Sequence, residues 1–106
     1  MQVVVDIEAE PATVVLEEPD DCGRFHVRVR GGRDAGKLDD ALQANSVGDL
    51  DGEGEALVRV DAVRRLATGA VGGTWEDDFT AMLGYARSKG WVSDDGASIR
   101  AHVEWG

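Results

Sequence analysis

An α+β fold, a mainly antiparallel sheet carrying two or three helices, is predicted by three observations. Period-two alternation of apolar and polar residues opens the chain and closes it. Helical spacing of apolar residues occupies the segments between. Five of the six aromatic residues, Trp75, Phe79, Tyr85, Trp91 and Trp105, fall in one block that reads as a C-terminal helix followed by a β-hairpin. With 106 residues, 42% of them hydrophobic and 30% charged, the chain has the size and composition of a single globular domain, 1–106, and wholesale disorder is excluded.

The first strand is read from Val3, Val5, Ile7 and Ala9 alternating with Val4, Asp6, Glu8 and Glu10, and Pro11 suits a tight turn after it. Thr13 to Glu17 is the return strand of that hairpin. Arg24 to Arg30 is a third strand, with Phe25, Val27 and Val29 on one face and His26, Arg28 and Arg30 on the other. If these strands are neighbours, arginines meet glutamates across the sheet, in pairs worth roughly 0.2–1 kcal/mol each. Asp34 then caps a helix running to about Asn45, with Leu38, Ala41 and Leu42 on its buried side. Gly48 to Glu55 reads as a polar, glycine-rich loop. Residues 56–60 fit either a strand or the start of a helix; we read a strand, followed by a helix from Asp61 as cap through Thr68, closed by Gly69.

End signals are densest around the next helix. Thr74 stands at its cap, Glu76, Asp77 and Asp78 occupy the first turn where the macrodipole favours anions, Arg87 and Lys89 lie in the last turn, and Gly90 supplies the stop. Trp75, Phe79, Met82, Leu83 and Ala86 form its apolar stripe. Trp91 and Val92 begin a strand, Ser93 to Ala97 form a turn, and Ile99, Ala101 and Val103 alternate with Arg100, His102 and Glu104 on the return.

Charge is blocked along the chain, −7 over residues 1–22, +4 over 23–37 and −6 over 38–56, within a net charge of −10. An acidic surface repels phosphate backbones, so general nucleic-acid binding is not expected. The single cysteine, Cys22, allows no internal disulfide, and no apolar run reaches the length of a signal or membrane segment, so a cytoplasmic protein without membrane association is expected. Abundant Ala, Gly, Val, Arg and Asp, with little Lys, Asn or Ile, is the bias of GC-rich codons and points to a high-GC bacterium.

Helix, helix, hairpin is the element order of the second half of a winged-helix domain, and Trp75 to Lys89 takes the place of its recognition helix. That resemblance implies DNA binding through Arg64, Arg65, Arg87 and Arg100, but the carboxylates at 76–78 lead the helix with the wrong sign. The block WEDDFTAMLGYARSKGWVSDDGASIRAHVEW resembles the C-terminal part of small uncharacterised actinobacterial proteins. It agrees with the GC-rich composition and implies no activity.

Tests for site chemistry return little. Asp49, Asp51, Glu53 and Gly54 match positions one, three, five and six of a calcium loop, but Val60 stands where the bidentate glutamate belongs. Cys22 and His26 have a C-x3-H spacing with too few thiolates or imidazoles for structural zinc, so no metal is expected. Cys22 activated by His26 is a conceivable nucleophile, yet no phosphate loop or dinucleotide fingerprint accompanies it, and neither a catalytic residue nor a cofactor is assigned. The expectation is an acidic accessory or regulatory module acting through protein contacts, with a protein partner or a second copy binding at Tyr85, Trp91, Trp105, Arg28 and Arg30. The alternative is a small-molecule-binding protein or enzyme using His26, Arg28 and His102. A DNA-binding regulator stands third.

Overall fold

The computed structural model of the chain describes residues 1–52 and 54–106. Its elements follow in the order β1 (Gln2–Asp6), β2 (Thr13–Glu17), β3 (His26–Arg30), α1 (Ala35–Ala44), β4 (Gly48–Asp51), β5 (Glu55–Arg59), α2 (Val60–Ala67), α3 (Trp75–Ser88) and β6 (Ser98–Trp105). The fold is α+β, with the strands in one sheet ordered β2-β1-β3-β6-β5-β4.

That sheet is mixed, which corrects the expectation of a mainly antiparallel one. β1 pairs with β3 in parallel and β3 with β6 in parallel, while the hairpins β1–β2 and β4–β5 and the pair β5–β6 are antiparallel. Sequence pattern marks the faces of a strand but not its neighbour, and β6 is drawn to the middle because Ala101 and Val103 are as apolar as the positions beside them. The winged-helix order therefore does not extend to topology, since β6 lies inside the sheet and not in a wing.

Register sorts the side chains onto two faces. Val3, Val27 and Val103 share one row of the covered face, and Val5, Val29 and Trp105 the next. Against these rows pack Leu38, Ala41 and Leu42 of α1, Val60, Ala62, Val63 and Ala67 of α2, and Trp75, Phe79 and Ala86 of α3. The open face is polar. One row of it crosses all six strands as Glu17, Gln2, His26, His102, Glu55 and Asp51. Val4 is the buried exception there, flanked in register by Val15 and Arg28.

Several element boundaries follow from local bonds. β1 stops at Asp6, earlier than the alternation suggests, because the Asp6 carboxylate accepts from the amides of Glu8 and Ala9 and turns the chain; the Glu10–Pro11 peptide after it is cis. Asp34 caps α1 as expected, accepting from the Lys37 amide at 3.0 Å, and Asn45 ends it. Residues 55–59 are a strand, and α2 follows without a loop; Arg59, not Asp61, stands at its N-cap position and makes no side-chain capping bond, while Asp61 pairs with Arg59 at 3.0 Å.

Three expectations are corrected. Thr74 stands at the N-cap of α3, but its side chain makes no capping bond. The segment from Gly48 is no loop: Gly48–Asp51 is an edge strand, and Gly48 is required because a Cβ there would collide with the Leu57 carbonyl. Glu53, which the calcium-loop reading also used, lies outside the described residues. The C-terminal hairpin is reduced to a single bridge between Val92 and Ile99, because from His26 onward β3 occupies that edge of β6. Among the described residues no helix is long and apolar enough to cross a membrane.

Candidate functional site

Helix α3 ends where an apolar cleft begins. Gly90 takes φ +78°, a left-handed conformation natural to glycine after a helix, and the Trp91 amide then bonds back to the Ala86 carbonyl at 3.0 Å. This return holds the Trp91 indole against the helix, where it meets Tyr85 edge-on with centroids 6.0 Å apart. Lys89 places its ammonium 5.5 Å from the centre of the Tyr85 ring. Tyr85 is 60% exposed and Trp91 44%, large values for aromatic side chains that already touch one another.

Met82 and Ala86 continue that wall, Ile99 contributes from β6, and the segment Cys22–Phe25, entering β3, faces them. The cleft so enclosed measures about 260 Å³. A second cleft of about 240 Å³, between Phe25, Trp91, Arg100, His102 and Glu55, shares three of its residues, so the two read as one groove. Arg24 and Arg100 stand on its rim. Asp51 and Glu55 both accept from the Arg100 guanidinium, which fixes its direction.

Chemistry inside the groove is limited. Burial, followed by the nearby Asp78 carboxylate, pushes the Cys22 thiol up from its ordinary value, the opposite of what a nucleophile needs. Cys22 Sγ points to the Pro19 carbonyl at 4.0 Å, and His26 is engaged elsewhere, so the two do not form an activated pair.

On the open face His26 Nε2 lies 3.0 Å from Gln2 Oε1 and 3.5 Å from Glu104 Oε2. With Arg24 and Arg28 it borders a polar cup of about 270 Å³, whose wall also carries Glu18, Asp21 and Glu104. His102 is the register partner of His26 on the open face and also borders the second cleft. Among the described residues no three His, Cys, Asp or Glu side chains converge as a metal site would need.

The residues singled out for partner contact thus fall into two places. Tyr85 and Trp91 meet in the groove. Trp105 sits at the far end of β6, half-buried on the covered face, with the Arg33 guanidinium 5.6 Å from its ring. Arg28 and Arg30 lie exposed on the open face of β3, and Arg30 reaches Glu17 at 3.6 Å across β1. Sequence reasoning did not select Phe25, Met82 or Arg24. Phe25 and Met82 look like ordinary core positions on an alternating strand and a helical stripe, and only the meeting of α3 with the start of β3 reveals them as walls. No family model, curated protein or solved structure matches the chain.

Proposed function

We propose that this chain is a small acidic accessory or regulatory module that captures a short segment of a protein partner in the groove beneath Tyr85 and Trp91. The observation that carries the reading is the pairing of those two aromatics, both substantially exposed, at the mouth of an apolar cleft. Aromatic side chains at the centre of a concavity are what interface cores are made of. The cleft under the two aromatics holds about 260 Å³ and opens into the second of about 240 Å³, room for one or two inserted side chains. Arg24 and Lys89 stand around the opening of a molecule that is otherwise strongly acidic, while Arg100 is already held by Asp51 and Glu55. The fitting partner is therefore a peptide with an aromatic or large aliphatic anchor next to Asp or Glu, steered in by those cations.

A second reading rests on Arg24, His26 and Arg28 converging on the polar cup, as a small anionic ligand would want. Glu18, Asp21 and Glu104 in the same wall offset that charge, which ranks it below the groove.

Selection of a random peptide library against the wild-type protein tests the proposal. The enriched peptides should carry an apolar anchor beside an acidic residue, and Tyr85→Ala and Trp91→Ala should each weaken them about tenfold or more, as truncated hot spots do. Peptides that bind the double variant as well as they bind wild type overturn it.

A further inference from the structure

The two edges of the sheet are treated differently, and the difference points to a second copy of the chain. At the β4 edge the outward amide of Leu50 is taken by the Asp39 carboxylate of α1 at 2.9 Å, and Asp49 and Asp51 put charge on the strand itself. Such an edge is closed to further pairing. At the other edge, β2 reads Thr-Val-Val-Leu-Glu, with no lysine, proline or glycine within it. Alternate residues of an edge strand direct their amides and carbonyls away from their only neighbour, here β1. Among the described residues no backbone bond outside the sheet engages positions 13–17. Val15, at the centre, is 47% exposed, one of three large exposed apolar side chains among the described residues, with Tyr85 and Trp91.

We infer that β2 pairs antiparallel with β2 of a second copy about a two-fold axis through Val15, joining the two sheets edge to edge. The five residues are self-complementary in that register. On the open face Val15 faces its own equivalent and each Thr13 faces a Glu17, so no like charges oppose one another. Val4 lies beside Val15 in register, so the axis brings Val4 and Val15 of both copies into one apolar strip. On the covered face Val14 faces Leu16, both already packed against the core. Every cross-strand pair is apolar with apolar or hydroxyl with carboxylate. A register displaced by one residue sets Thr13 and Val15 of one copy against Leu16 and Val14 of the other and loses that match. The surface is separate from the groove of Tyr85 and Trp91, and pairing here leaves that groove open.

Sedimentation or light scattering over a concentration series reads the association directly. The wild-type chain should pass from its monomer mass of 11.3 kDa to twice that mass as concentration rises, while Val15→Lys, which sets two ammonium groups side by side at the axis, should weaken the dimer about tenfold or more and leave the thermal melt unchanged at concentrations where both chains are monomeric. Register is tested in a Cys22→Ser background. Val15→Cys should give a covalent dimer when diamide takes up the two thiol hydrogens, because facing Cα atoms are about 4.5–5.5 Å apart, within disulfide reach. Thr13→Cys should not, because its equivalents lie roughly 13 Å apart along the paired strands. A wild-type chain that stays monomeric, a dimer indifferent to Val15→Lys, or equal crosslinking at positions 13 and 15 overturns the inference. So does a dimer abolished by Tyr85→Ala, which would assign self-association to the groove.

Discussion

Phe79 is fully buried and stacks on Trp75, with ring centroids 4.8 Å apart and planes 11° from parallel. The Trp75 indole donates to the Pro19 carbonyl at 2.7 Å, tying α3 to the segment that leads into β3. Above Phe79 the Arg64 guanidinium lies 5.3 Å from the ring centre and is held by Glu76 at 2.7 Å. Removing this ring leaves a cavity its rigid neighbours cannot close, so Phe79→Ala should cost about 3–5 kcal/mol, most of the stability of a domain this size. Trp105 has a different setting: its ring is half-buried and reached by Arg33 on one side. Trp105→Ala should leave the chain folded with a distinctly smaller loss. Chemical denaturation of both variants checks the contrast, and equal losses would place Trp105 in the core proper.

Elements were legible where their ends carry their own chemistry. The helix from Ala35 announces itself through Asp34, and α3 through its charged termini and Gly90. β4 was not legible, because Gly-Asp-Leu-Asp has the composition of a turn and becomes a strand only through pairing with β5 and the Asp39 carboxylate on Leu50. The turn before β6 was seen, and side chains close it: Asp95 accepts from Ser93 Oγ at 2.7 Å and from the Ala97 amide at 2.9 Å. The Ser93 bond first, then the Ala97 amide, holds the Asp95 carboxyl below the usual carboxylate range. A lowered folded-state value means that this contribution is present above the unfolded value of about 3.9 and is lost as pH falls through the lower folded one. Acidification through that window should loosen the turn, and exchange of the Ala97 amide should then accelerate in wild type. In Asp95→Asn the amide should exchange faster at neutral pH with no such acid step, and a step that persists in this variant would assign it to another carboxyl.

Taken whole, the molecule carries a net charge of −10, and three of the four arginines that a winged-helix reading would send to DNA are engaged. Arg64 is bound to Glu76, Arg100 to Asp51 and Glu55, and Arg65 donates to the Asn45 carbonyl. Duplex DNA should therefore show no binding at physiological salt, and a salt-sensitive mobility shift at micromolar protein would overturn that expectation. By itself the sequence determined the fold class, the faces of β1, β3 and β6 and the apolar stripe of α3, since period and capping are local properties of a chain. Tertiary structure alone decided that β6 runs between β3 and β5, that Phe25 and Met82 wall a groove under Tyr85 and Trp91, that His102 comes to lie beside His26, and that β2 keeps an open edge. These depend on which strand lies beside which. Strand order is set by burial summed over the whole sheet, and no single segment carries it.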